Sequence, residues 1–159
     1  MFHKLFMSLV LSLWVGSAVA SNVEIMEVYS AEQDFATVGE NLRQAVINRG
    51  LVVSNVSHLS EMLSRTGADL GDAKPVYDDA EIYEFCSAVL SRAMVESDPR
   101  NIVHCPLSVA IYTLPGEPGR VYAAFRRPTV LAPESSLAAL QPIEDLLRGV
   151  AREALELDF

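Results

Sequence analysis

The sequence is poor in positive charge. Twelve Lys and Arg stand against 21 Asp and Glu over 159 residues, a formal net charge of -9. Proteins that hold nucleic acid attract phosphate with Lys and Arg, so nucleic acid is not an expected partner. Cysteine is limited to Cys86 and Cys105, too few for a disulfide scaffold. Neither stands in a C-x-x-C or a C-x-x-C-H, which excludes a thioredoxin-type motif and covalent c-type haem attachment. G-x-S-x-G, H-E-x-x-H, a P-loop and G-x-G-x-x-G are all missing, so the familiar hydrolase, nucleotide and dinucleotide signatures are absent. Eight glycines and eight prolines are too few for a low-complexity tract. What is present is a chain that is half hydrophobic and long enough for one domain with its own core.

The apolar excess is front-loaded. Lys4 precedes the run Leu5–Val15, and Gly16, Ser17 and Ala18-Val19-Ala20 follow. That is the order of a secretory leader: a cation, a short apolar stretch and a small-residue cleavage site. The run is shorter than the about 20 residues a membrane helix needs. Residues 1–20 are therefore expected to be a signal peptide, cleaved before Ser21, with the mature protein most readily placed in the periplasm. Residues 21–159 then form a single domain, one charge more acidic, with no integral membrane segment. Its oligomeric state is open.

Along that domain the apolar spacing alternates between two periods. Asn22–Tyr29 reads as a short strand. Phe35, Val38, Leu42, Ala45 and Val46 are spaced for a helix that Gly50 stops. Leu51–Val56 is β-branched and reads as a strand, and His58–Thr66 as a short helix. Asp78 with Glu81 three residues on resembles a capping box. A helix over residues 79–95 would then place Ile82, Phe85, Cys86, Val89, Leu90 and Ala93 on one stripe. After the Asp98-Pro99 turn, Val103, Cys105, Leu107, Val109 and Ile111 alternate as a strand with Cys105 on the core face. Pro115–Gly119 is a hairpin loop, and Val121, Ala123 and Phe125 form the inward side of the returning strand. Pro142 suits the start of a last helix. The order β-α-β-α-α-β-β-α gives an α+β fold: a two-layer sandwich, a small, mostly antiparallel sheet with helices on one face.

Five groupings bear on chemistry. Cys86 and Cys105 lie on neighbouring elements, and three readings stay open: a disulfide, favoured by an oxidising compartment; two inert buried thiols; or a redox or sulfur-carrying pair. His104-Cys105-Pro106 matches a Cys-Pro haem pattern, but strand alternation sets His104 and Cys105 on opposite faces. Cys86, Met94, His104 and Cys105 are soft ligands that would favour Cu(I), in no recognised metal-site spacing. No cofactor is therefore expected. Arg126-Arg127-Pro128, with Arg100 and Arg120 near, is the densest basic patch, suited to a carboxylate or phosphate or to ordinary surface ion pairs. His104, Arg126 and Arg127 are the candidate ligand-binding residues. The acidic group Asp69, Asp72, Asp78, Asp79 and Glu81 lacks the fixed oxygen order of a calcium loop. No catalytic constellation is legible.

The segment YDDAEIYEFCSAVLSRAMVESDPRNIVHCPLSVAIYTLPGEPGRVYAAFRRP, residues 77–128, resembles the core of the exported bacterial family known as domain of unknown function 302. Phe85-Cys86, Asp98-Pro99, Cys105-Pro106 and Arg126-Arg127-Pro128 carry the likeness. It implies a compact α+β fold and no activity. A non-enzymatic module that binds a small ligand or partner is the leading expectation. A protein using Cys86 and Cys105 as thiols, and one that associates through a sheet edge, are the alternatives.

Overall fold

A computed structural model describes residues 24–71 and 74–157; the expected signal peptide lies outside them. The elements are β1 (Met26–Glu32), α1 (Phe35–Asn48), β2 (Val53–His58), α2 (Leu59–Leu70), β3 (Ala80–Phe85), α3 (Ala88–Ser97), a 3₁₀ turn (Pro99–His104), β4 (Leu107–Tyr112), β5 (Arg120–Arg126) and α4 (Glu134–Ala154). The α+β class holds. Five antiparallel strands form one sheet in the order β1-β5-β4-β3-β2. Among the described residues no helix is long and apolar enough to cross a membrane.

Alternation along the strands makes one sheet face the core. Tyr83 and Phe85, Leu107, Val109 and Ile111, and Val121, Ala123 and Phe125 are all buried. Onto them pack Val38, Leu42, Ala45 and Val46 of α1 and Leu140, Ile143, Leu147, Val150 and Ala154 of α4. Asp34 caps α1 by accepting from the Thr37 amide, the role for which a short acidic side chain suits an N-cap. The opposite sheet face carries a row of small apolar residues. Val28 pairs with Ala124, Ala124 with Ala110 and Ala110 with Ile82.

Three expectations are corrected. The helix predicted over 79–95 is two elements: β3, then α3 from Ala88, capped by Ser87. Asp78 therefore caps no helix; its amide donates to the Thr113 carbonyl instead. The strand predicted from Val103 begins at Leu107, and residues 99–104 wind as the 3₁₀ turn. Pro142 lies inside α4, which starts at Glu134. A proline within a helix leaves the carbonyl four residues back without its partner; Pro142 is on the exposed side of α4, where water can reach.

Candidate functional site

Cys86, His104, Cys105, Arg126 and Arg127 gather at one end of the sheet, while Arg120 stands at the other, opposite Glu32 of β1. β3 leaves the sheet beside the start of β4, since Phe85 pairs with Leu107. β5 ends there too, with Arg126 opposite Met26. The 3₁₀ turn is pinned in place by a buried side chain: Asn101 Nδ2 donates to the Met94 carbonyl, to Ser97 Oγ and to Ser136 Oγ, at 3.1, 3.2 and 3.1 Å. Those bonds tie the turn to α3 and α4. Asp98 caps it and pairs with Arg100 at 2.7 Å. That pairing holds the Asp98 carboxyl down at about 2.

Between this turn, the ends of β4 and β5, and α4 lies a cleft of about 280 Å³. It is near the lower end of small-molecule sites, which run from roughly 300 Å³ upward. Its walls are mostly apolar, with Leu107, Val130, Ile143 and Leu147 prominent, and its polar groups include His104, Arg126 and Arg127. All three predicted ligand-binding residues thus meet in one cavity.

The two arginines differ in state. Arg127 Nε lies 3.0 Å from Glu144 Oε1 and 3.7 Å from Glu27 Oε2. Glu144 is buried and also accepts from Arg148 at 2.8 Å and from the Thr129 hydroxyl. Burial pushes its carboxyl up, but these donors together outweigh burial and hold it below the ordinary carboxylate range. Arg127 is spent on this structural network. Arg126 is exposed, and among the described residues its side chain makes no hydrogen bond or ion pair. Its charge still reaches His104. Burial first, and the Arg126 guanidinium second, push the His104 pKa below its usual value. At neutral pH the cleft thus presents one free cation and one neutral imidazole.

The cysteines are placed otherwise than predicted. Cys86 sits in the turn between β3 and α3, exposed; Cys105 follows the 3₁₀ turn, half-buried, with its amide donating to the Ile102 carbonyl. Both are free thiols, so no disulfide is present. Yet the two sulfurs share one neighbour. Ser91 Oγ lies 3.2 Å from Cys86 Sγ and accepts from Cys105 Sγ at 3.5 Å. Ser91, in the first turns of α3, is a residue that sequence reading missed; it sits in no motif. His104 faces the cleft while Cys105 meets Ser91, so the two do not converge as haem ligands. Met94 is fully buried in the core. Among the described residues no three His, Cys, Asp or Glu side chains are gathered as a metal ion would need.

A family model described as domain of unknown function DUF302 matches residues 26–154. A solved structure of an uncharacterized conserved DUF302 protein from Bacillus stearothermophilus superposes with a TM-score of 0.67 at 15% identity, covering 82% of this chain and 98% of that one. At that identity the likeness concerns the fold alone. No curated protein matches.

Proposed function

The chain belongs to the DUF302 family, a premise that brings a fold and no chemistry, and from the cleft itself we propose a non-enzymatic binding module for a small anion with a compact apolar body. One observation carries the reading: an unpaired guanidinium, Arg126, at a cavity whose walls are mostly apolar. A ligand carboxylate would take the planar fork of Arg126. Its apolar part would fill the space against Leu107, Val130 and Leu147, where burial is worth about 25 cal/mol per Å². Arg127, already neutralised by Glu144, serves as wall. On this reading the leader expected over residues 1–20 delivers the domain to the periplasm, where such anions arrive from outside.

His104 supplies a further signature. Burial first and the Arg126 charge second hold the His104 pKa down; a bound anion offsets the second, which makes His104 easier to protonate. Binding and proton uptake are then linked, and affinity rises as pH falls through the range in which His104 titrates.

Benzoate and hexanoate are suitable probes, with benzamide as the neutral isostere. In NMR titrations benzoate should saturate and shift the His104 and Val130 signals, while benzamide should not. Arg126→Gln should weaken benzoate about tenfold or more, the scale of one charge-assisted bond. Lack of saturation by either carboxylate, equal binding of benzamide, or an unchanged affinity in Arg126→Gln would each overturn the proposal.

A further inference from the structure

The thiol pair lies outside the binding reading, and its geometry points to a separate site: we infer that Cys86 and Cys105 form a reversible dithiol–disulfide couple. Both sulfurs rest against the Ser91 hydroxyl, at 3.2 and 3.5 Å. They therefore share one small side chain, Cys86 just after β3 and Cys105 just before the adjacent strand β4. A disulfide asks for sulfurs about 2 Å apart. The sulfurs must leave the shared Ser91 hydroxyl and close on each other, and Ser91 can give up both contacts by changing rotamer. Cys86 and Cys105 themselves belong to no strand, so no ladder pair includes either of them.

Exposure divides the labour. Cys86 is open to solvent and Cys105 half-buried. With a small organic disulfide as oxidant, the Cys86 thiolate attacks one of its sulfurs. The reagent's S–S bond breaks, one reagent thiol leaves, and Cys86 carries a mixed disulfide. Cys105, as thiolate, then attacks the Cys86 sulfur. The Cys86–Cys105 bond forms and the second reagent thiol leaves. Two protein thiols have lost two electrons and two protons, and the reagent disulfide has gained both pairs. Excess dithiol reverses the sequence. The oxidised form ties the turn after β3 to the segment that follows His104, and leaves Arg126 untouched. The couple stands whether or not the cleft holds an anion.

Oxidised glutathione is the probe, applied to the native protein, followed by acid quench, alkylation and intact mass measurement. The wild-type protein should lose the mass of two hydrogens, accept no alkyl group, and regain both alkylation sites after dithiothreitol. Cys105→Ser should stop at the mixed disulfide and keep the glutathione mass. Cys86→Ser should react more slowly, since its remaining thiol is half-buried. The inference is overturned if wild type halts at the same mixed disulfide as Cys105→Ser. Linkage between chains, or two thiols that stay open to alkylation throughout, would overturn it as well. Benzoate titration of the same samples reads the cleft independently, so failure of one proposal is distinguishable from failure of the other.

Discussion

Glu144 shows how a single residue separates structure from function at this end of the molecule. It is a buried acid whose charge is answered by Arg127, Arg148 and the Thr129 hydroxyl. Removing one partner of a buried pair costs about 3–5 kcal/mol. Both arginines here are about a third exposed, at 34% and 30%, so water takes back part of that cost. Glu144→Gln should lower stability by about 2 kcal/mol in urea titrations. It should also loosen Arg127, whose remaining carboxylate Glu27 stands 3.7 Å away, and so raise the positive potential at the cleft and tighten benzoate. Loss of stability with no change in benzoate affinity would mean that Arg127 does not face the ligand. Much of this was legible in sequence. Arg126, Arg127 and His104 stood out as candidates. Which arginine is free was not legible, because Glu144 and Glu27 reach Arg127 from α4 and β1, far along the chain.

At the scale of the element, β3 explains the chief misreading. Its inward positions are Glu81, Tyr83 and Phe85, paired with Ile111, Val109 and Leu107. An acid at the first of them hides the alternation that marks a half-buried strand. Outward Ile82 meanwhile completes a helical spacing with Phe85, Cys86 and Val89. The structure satisfies Glu81 with His58 at 2.9 Å and with the Tyr83 hydroxyl at 2.5 Å, bonds that no local pattern announces. The same hydroxyl fixes how closely α1 can approach. A Cβ on Gly39 would stand 2.6 Å from Tyr83 Oη, too close for any rotamer of a ring that is 2% exposed. Gly→Ala inside a helix ordinarily gains roughly 1 kcal/mol. Here Gly39→Ala should instead cost about 1–3 kcal/mol, the range for overpacking. In a Tyr83→Phe background the obstacle is gone, and the same change should become neutral or stabilising. A thermal-denaturation double-mutant cycle reads the coupling directly, and simple additivity would refute the contact.

Over the whole molecule, α4 is fastened by carboxylates. Glu27 of β1 meets Arg148 at 2.8 Å, Arg49 just past α1 meets Glu153, and Glu144 meets Arg127. The bond from Arg148 lowers the Glu27 pKa, and bonded partners outweigh burial to lower those of Glu144 and Glu153. Carboxyls with lowered folded pKa values stabilise fully above their unfolded pKa of about 4.5 and lose that contribution as pH falls through the folded values. His104, also lowered, has the same sign in a higher window: stability declines as pH falls from about 6.5 toward its folded pKa. Urea midpoints should therefore step down slightly below pH 6.5 and steeply below 4.5. Glu144→Gln should flatten the second step, and His104→Gln should remove the first. The fold class was readable because period and order are local. The strand order was not, because it depends on partners distant in the chain. That order has a consequence in time. β1 pairs with β5, Met26 against Arg126 and Glu32 against Arg120, so the first strand to be synthesised waits for the last. A ribosome must release the chain through Arg126 before the sheet can close, and closure over so long a loop is slow. Until then the backbone edge of Met26–Glu32 that meets β5 has no ladder partner, and a nascent chain cut short before Arg120 would never supply one.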